Sequence, residues 1–246
     1  MPILKEIDYL KFKTESLKDN EGVFVLDPLL PGYGVTLGNA IRRVALSSIE
    51  GNAITSIKIN NITHEFSSIK RIKEDVIEII LNLKQLRMKK FTADPATIKL
   101  SVSGAKIVTA KDFKKNADVE IVDPNQPIAT LDKGAKLEIE AIVETGKGYL
   151  ATENRDASLL EFGMIAIDAN FTPIRKISFD VENTRVGQET DYDKLILSIS
   201  SDGSVTPDVI LLKTCQIICE HLNIILENLS LPKKKKMTKK TTKKTK

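Results

Sequence analysis

Tryptophan is absent from the 246 residues, cysteine and histidine occur twice each, and aromatic residues make up only 5 % of the chain. Each scarcity narrows what the protein does. The cysteines, Cys215 and Cys219, lie four apart, build no disulfide framework and suit a reduced compartment, so the cytosol is the expected location. His64 is the only histidine besides the one in Cys215-x-x-x-Cys219-x-His221, so spacing supplies no four-ligand metal set. Two small hydrophobes buried on a helix are the simpler reading of the cysteines. No apolar leader opens the chain, and no membrane span is expected later. A nucleophile elbow, a metal triad and a Ser/His/Asp set are all missing. Lys73-Glu74-Asp75 and Glu78 lack a general-acid partner and read as acids placed at a helix start for its dipole. The chain therefore reads as non-catalytic.

What is present is ordinary soluble-protein composition, 41 % hydrophobic and 28 % charged, with Lys, Ile and Asn used heavily, as a biased genome would use them. The net charge of +4 hides an asymmetry. Nine of the 37 basic residues are lysines within 232–246, a stretch without acids, so the remainder sets 28 bases against 33 acids. The body is mildly acidic. The tail has the composition of a disordered polycation, either a solubilising terminus or a nonspecific nucleic-acid contact.

Along the chain, 3–15 and 21–27 read as strands, followed by a turn at Pro28 to Gly32 and a helix from Thr36 to Ser48. Ala53–Ile59, Asn60-Asn61 and Ile62–Phe66 read as strand, tight turn and strand. Lys73–Lys84 reads as a helix with acids first and Lys84 last. From Thr97 to Phe179 short β-like runs dominate, among them 98–102, 119–122, 136–143 and 165–169. Strands at 176–181 and 194–200 then lead to a long helix from Pro207 to Leu229.

Two helices carry information. Around the first, Leu37, Ala40, Ile41, Val44 and Ser48 form the expected buried stripe, and Asn39, Arg42, Arg43 and Leu46 gather opposite it. A leucine between two guanidinium groups is the mixture protein interfaces favour. The long helix sets Leu211, Cys215, Ile218, Leu222, Ile225, Leu226 and Leu229 on one face. Ile210, Ile217 and Ile224 form a second line at heptad spacing. A helix packed on its own domain needs one apolar stripe. This one is either sandwiched in a single core or covered by another chain.

Gly32-x-Gly34-x-x-x-Gly38 invites a phosphate-cradle reading, since glycines before a helix let backbone N–H groups approach an anion. The spacing departs from the dinucleotide fingerprint by one residue, and no Walker lysine follows. The alternative is a turn at Gly32 and Gly34 with close packing at Gly38.

Gly32-Tyr-Gly-Val-Thr-Leu-Gly-Asn-Ala-Ile-Arg-Arg-Val-Ala-Leu-Ser-Ser48 closely resembles the signature helix of the bacterial RNA polymerase alpha subunit family. Ile62-Thr-His-Glu-Phe-Ser-Ser68, Lys73–Lys84, Gly146-Lys-Gly-Tyr149, Thr172-Pro-Ile-Arg175, Val181–Val186 and Thr190–Leu195 agree in order, so the likeness runs from about residue 20 to 229. The resemblance implies an α+β fold in two domains. Residues 1–50 and 177–230 would form a discontinuous dimerisation domain, 51–176 a β-rich insert, and 231–246 a disordered tail. It implies a homodimer that scaffolds the beta and beta-prime catalytic subunits, with omega and sigma in the complex and DNA met mainly through it. No catalytic residue, metal or cofactor is expected on this chain, magnesium belonging to the catalytic partner. Arg43 matches the arginine tied to beta binding, and Leu46 and Lys84 match other assembly positions. Asn39, Arg42 and Arg175 are grouped with them. Leu37, Ile41, Ile210, Ile217, Leu222, Ile224 and Ile225 are the expected dimer contacts.

The likeness has limits. Family members commonly continue through a linker into a small helical domain that binds upstream DNA, whereas here a lysine tail follows, which leaves upstream contact unsupported. The loop Asp156–Glu161 is only weakly acidic where some members receive an activator. Basal assembly is the expectation, in a bacterial cytoplasm or a plastid, without a membrane. Two other classes remain: a nucleotide-binding enzyme using Gly32 to Gly38 with Arg42, and a free-standing DNA-binding dimer using the tail.

Overall fold

The computed structural model describes residues 10–60, 62–155 and 163–229. Positions 1–9, 61, 156–162 and 230–246 fall outside these, so the first part of the expected strand 3–15, Asn61 of the expected tight turn, the Asp156–Glu161 stretch and the tail lie outside the described residues. In chain order the elements are β1 (Lys11–Leu17), β2 (Glu21–Leu29), α1 (Tyr33–Ser48), β3 (Glu50–Ile59), α2 (Val76–Lys84), β4 (Met88–Lys90), β5 (Ala96–Ser103), β6 (Lys106–Thr109) and β7 (Val119–Ile121). They continue with β8 (Pro127–Leu131), β9 (Lys136–Lys147), β10 (Tyr149–Leu150), β11 (Ile165–Ala166), β12 (Ala169–Asn170), β13 (Ile174–Val186), β14 (Glu189–Ser201) and α3 (Pro207–Leu229). The fold is α+β and its sheets are antiparallel.

Two hydrophobic cores divide these elements. The first belongs to the sheet β1-β2-β14-β13, covered on one face by α1 and α3. Alternation along β14 sends Leu195, Leu197 and Ile199 inward, where they meet Phe24, Ile41, Ala45 and Ile210. The second belongs to the sheet β11-β3-β9-β5 with α2 and the pairs β4–β7 and β6–β8. Val76, Ile79, Ile80 and Leu83 are the buried face of α2. Ile49 and Ile174 belong to the first core and Ile54 to the second, so the chain changes cores near 50 and again just before 174.

Glycines set how closely α1 lies on its sheet. A methyl group at Gly38 would stand 2.6 Å from the Phe179 ring and 3.0 Å from Leu195 Cδ1, and one at Gly34 would stand 2.8 Å from Val181 Cγ1. Alanine is the better helix former by about 1 kcal/mol, but crowding of this kind costs about 1–3 kcal/mol. Gly38→Ala is expected to lower unfolding free energy by about 1 kcal/mol in urea titration, opposite in sign to the helix-propensity gain.

The two ends of the insert meet at a second pair of glycines. Gly51 and Gly146 face each other across β3 and β9, and Phe171 lies on both. Phe171 is itself anchored, its N–H donating to Gly148 O at 2.8 Å. An ion pair between Arg87 and the nearly buried Asp202, at 3.6 Å, ties the insert to the first unit.

Several expectations need correction. The strand expected at 62–66 is absent; only an isolated bridge joins Ile59 to Ile62. The positions on β3 that it would need are taken, Ile57 and Ser56 by β11 on one edge and the whole strand by β9 on the other. Phe66 is consequently left exposed. Helix α2 begins at Val76 rather than Lys73, because Lys73 N–H donates to Thr130 O and the Glu74 carboxylate accepts from Thr130 N. Both residues are held as loop, and Asp75 becomes the cap, with Glu78 accepting its N–H.

Candidate partner-binding surfaces

Helix α1 opens at Tyr33, three residues before the expected start, with Gly32 in the left-handed region as its cap. Thr36, the expected first residue, lies within the first turn, its hydroxyl donating back to Gly32 O at 3.0 Å. The Gly34 N–H donates to Asp193 Oδ2 at 2.9 Å, and Asp193 is buried. A protein carboxylate thus occupies the place a phosphate would need, and a second anion there would meet like charge. The glycines serve close packing and this contact.

On the outward side of α1, Asn39, Arg42, Arg43 and Leu46 are all exposed. Among the described residues neither guanidinium has an ion pair or a side-chain hydrogen bond, and Leu46 remains 41 % exposed beside them. Unneutralised arginines around an apolar side chain fit a complementary protein surface. Arg175 is also exposed, on β13 between the buried Ile174 and Ile177.

Lys84 stands at the end of an outward stripe on α2. Ile77 and Leu81 precede it at helical spacing, 40 % and 51 % exposed, and the three border one groove with Asp168. Lys84 Nζ is 3.4 Å from Asp168 Oδ2, and Thr152 N–H donates to Asp168 Oδ1 at 2.9 Å. The Thr152 backbone bond is the main cause holding the Asp168 carboxyl below its ordinary value, with Tyr149 and Lys84 adding to it. Because the folded value is the lower one, this contribution is complete above the ordinary carboxylate pKa and fades as pH falls through the depressed one. Asp168→Asn should therefore lower stability at neutral pH and lose less of it on acidification than wild type, read from urea midpoints across pH. The apolar stripe was missed in the sequence, although an α2 with apolar residues at 76, 77, 79, 80, 81 and 83 has more than one core face can hold.

The first turns of α3 are packed and its end is not. Pro207, Ile210, Leu211 and Thr214 are buried, Ile217 and Ile218 half-buried, and everything from Cys219 to Leu229 is exposed. Leu222, Ile224, Ile225, Leu226 and Leu229 are between 53 % and 73 % exposed. At the edge of the first sheet, β1 is exposed along its length, and Phe12 stacks on Phe24 with ring centroids 6.0 Å apart.

This geometry corrects part of the expected dimer set. Ile41 and Ile210 lie in the chain's own core, because α1 and α3 pack on each other and on β14, and they have almost no surface for a second chain. Leu37 and Ile217 are half-buried, and Leu222, Ile224 and Ile225 stand open. Both cysteines are exposed rather than buried, since the face they share is uncovered. Desolvation by the apolar helix face, with Cys219 adding to it, still raises the Cys215 thiol above its usual range. His221 Nδ1 donates to Ile217 O at 2.8 Å, and no cluster of three metal-capable side chains occurs among the described residues. Nor was the sequence free of a membrane-length segment: α3 is long and apolar enough to cross one. Its first turns, however, are buried in the first core with Leu195, Leu197 and Ile41.

Residues 57–172 match the RNA polymerase Rpb3/RpoA insert domain, the region built on the second core. The DNA-directed RNA polymerase subunit alpha of Alkaliphilus oremlandii is 45 % identical over 225 residues, covering 90 % of this chain and 71 % of that protein. This chain belongs to the RNA polymerase alpha subunit family. The alpha subunits of Moorella thermoacetica and Macrococcus caseolyticus, 44 % and 41 % identical, cover the same 90 % and 71 %. Within an alpha-family chain the discontinuous first core and the insert acquire separate meanings, and the exposed faces of α1, α2 and α3 become the places to look for partners.

Proposed function

We propose that this chain is a non-catalytic scaffold of a cytoplasmic, bacterial-type DNA-directed RNA polymerase, pairing with a second copy and presenting two such chains to the beta and beta-prime subunits. The discontinuous unit around the first core is the dimerisation domain. The observation that carries this reading is that two different surfaces stand exposed among the described residues, an apolar one on the end of α3 and a basic one on the outer face of α1. The apolar end suits a twofold contact in which every residue is used twice. Arg42 and Arg43 around Leu46 suit a different, charged partner, with Asn39, Lys84 and Arg175 as further contacts. Nucleotide addition and its magnesium belong to the large subunits.

Co-purification with the beta subunit tests this directly. Arg43→Ala should weaken capture about tenfold or more, as truncation of an arginine anchor does, and leave the mass of the free species at that of a dimer. Loss of dimer and beta together would place both contacts on one surface and sink the division proposed.

A further inference from the structure

The insert carries a surface that none of these partner positions uses. Beside β5 and β7 lies a cavity of about 390 Å³. Its floor is apolar, formed by Ile98, Phe113 and Val119, side chains that belong to the second core. Its rim is basic: Lys111, Lys114 and Lys115 fall within five residues and all are exposed.

Several neighbouring lysines of the insert are matched, Lys99 with Glu140, Lys106 with Asp112 and Lys136 with Glu138. Among the described residues the three rim lysines have no ion pair, and Lys111 and Lys114 reach the already paired Asp112 and Glu138 only through longer-range attraction. Glu120 is the one acid on the lining, and it stands opposite Lys89 in the β4–β7 register. The lining therefore sets three lysines against one acid around an apolar floor.

We infer that this hollow docks an acidic segment of a partner protein, with a large apolar side chain seated over Phe113 and Val119 and flanking carboxylates on Lys111, Lys114 and Lys115. Charge complementarity selects the anion, and the apolar floor selects a peptide over nucleic acid. Single strands bind by stacking successive bases on a row of aromatic faces, and the lining holds one aromatic, Phe113. A cavity of this size accommodates one or two side chains.

Fluorescence anisotropy of the full chain with the labelled peptide Asp-Glu-Asp-Leu-Phe-Asp-Glu-Asp tests this. The control must match charge, because the nine tail lysines also attract anions. Lys111→Glu, Lys114→Glu and Lys115→Glu together should weaken binding about tenfold at physiological salt. Lys133→Glu, Lys176→Glu and Lys213→Glu, equal in charge, should change it less than about twofold. Replacing Leu-Phe in the peptide by Ser-Ser should also weaken binding about tenfold, with no change to the protein. Absent binding, an equal loss in the control triple, or undiminished affinity of the Ser-Ser peptide would each overturn the proposal. A labelled oligonucleotide of equal charge that lost affinity to the same triple would reassign the surface to nucleic acid and overturn it as well.

Discussion

A chain carrying Leu222→Asp and Ile225→Asp is expected to sediment as a monomer at micromolar concentration where the unaltered chain sediments as a dimer. Both side chains are 53 % exposed in the single chain, so about half of each one's hydrophobic gain is still to be realised. That remaining share is roughly 1 kcal/mol per side chain. A twofold seam counts each substitution twice, and each aspartate also brings a carboxylate whose burial costs several kcal/mol. The combined penalty exceeds the ~8 kcal/mol that holds a micromolar complex. Because α3 is anchored by Ile210, Leu211 and Thr214, two or more turns earlier, far-ultraviolet circular dichroism should remain that of a folded chain. A folded double variant that is still dimeric would remove α3 from the seam.

Gly51→Ala is expected to produce the largest loss of stability of any single methyl addition in the chain. The added carbon would stand 1.9 Å from the Phe171 carbonyl oxygen, a backbone atom that no rotamer change can move. Gly51 is fixed by its pairing with Gly146, and Phe171 by its bond to Gly148, so relief requires displacing the Phe171 backbone from the β3–β9 pair. A cost of about 3 kcal/mol follows for overpacking against rigid neighbours, which for a chain of this length lowers the melting temperature by about 10 °C. Gly104→Ala is the comparison, since a methyl group there meets nothing within 4 Å and only the backbone angle is strained. Should calorimetry find Gly51→Ala melting within about 2 °C of the unaltered chain, the joint is softer than its contacts imply.

The parts legible in the sequence were those fixed by local pattern. The limits of α3 were readable from Pro207 and the apolar run to Leu229, and β2 and β5 from short β-branched stretches between turn signals. What was not legible depended on residues far away. The strand expected at 62–66 fails because β11, a hundred residues later, holds the same edge of β3. Strands β13 and β14 run well past their apolar segments because each supplies the other's hydrogen bonds out to Val186 and Glu189. Polar residues such as Glu182 and Lys194 are kept in strand by that pairing, with a cross-strand ion pair of 2.8 Å between them. At the candidate site, the outer face of α1 was readable from helical periodicity alone. The cysteines were misjudged because periodicity identifies an apolar face without saying whether the same chain covers it. Ile41 and Ile210 fail in the opposite sense, being apolar and covered already.

The split first core has a consequence for how the chain is made. Gly34 and its acceptor Asp193 are 159 residues apart, so at about 5–20 residues per second α1 leaves the ribosome on the order of ten seconds before the carboxylate that receives it. During that interval the early strands have no β14 to pair with. The insert between them can fold first, and its Gly51 and Phe171 ends then lie in contact. A floppy loop of about 120 residues would cost roughly 4 kcal/mol to close. The folded insert removes that search, delivering β13 and β14 to waiting β2 as a clasp already drawn shut.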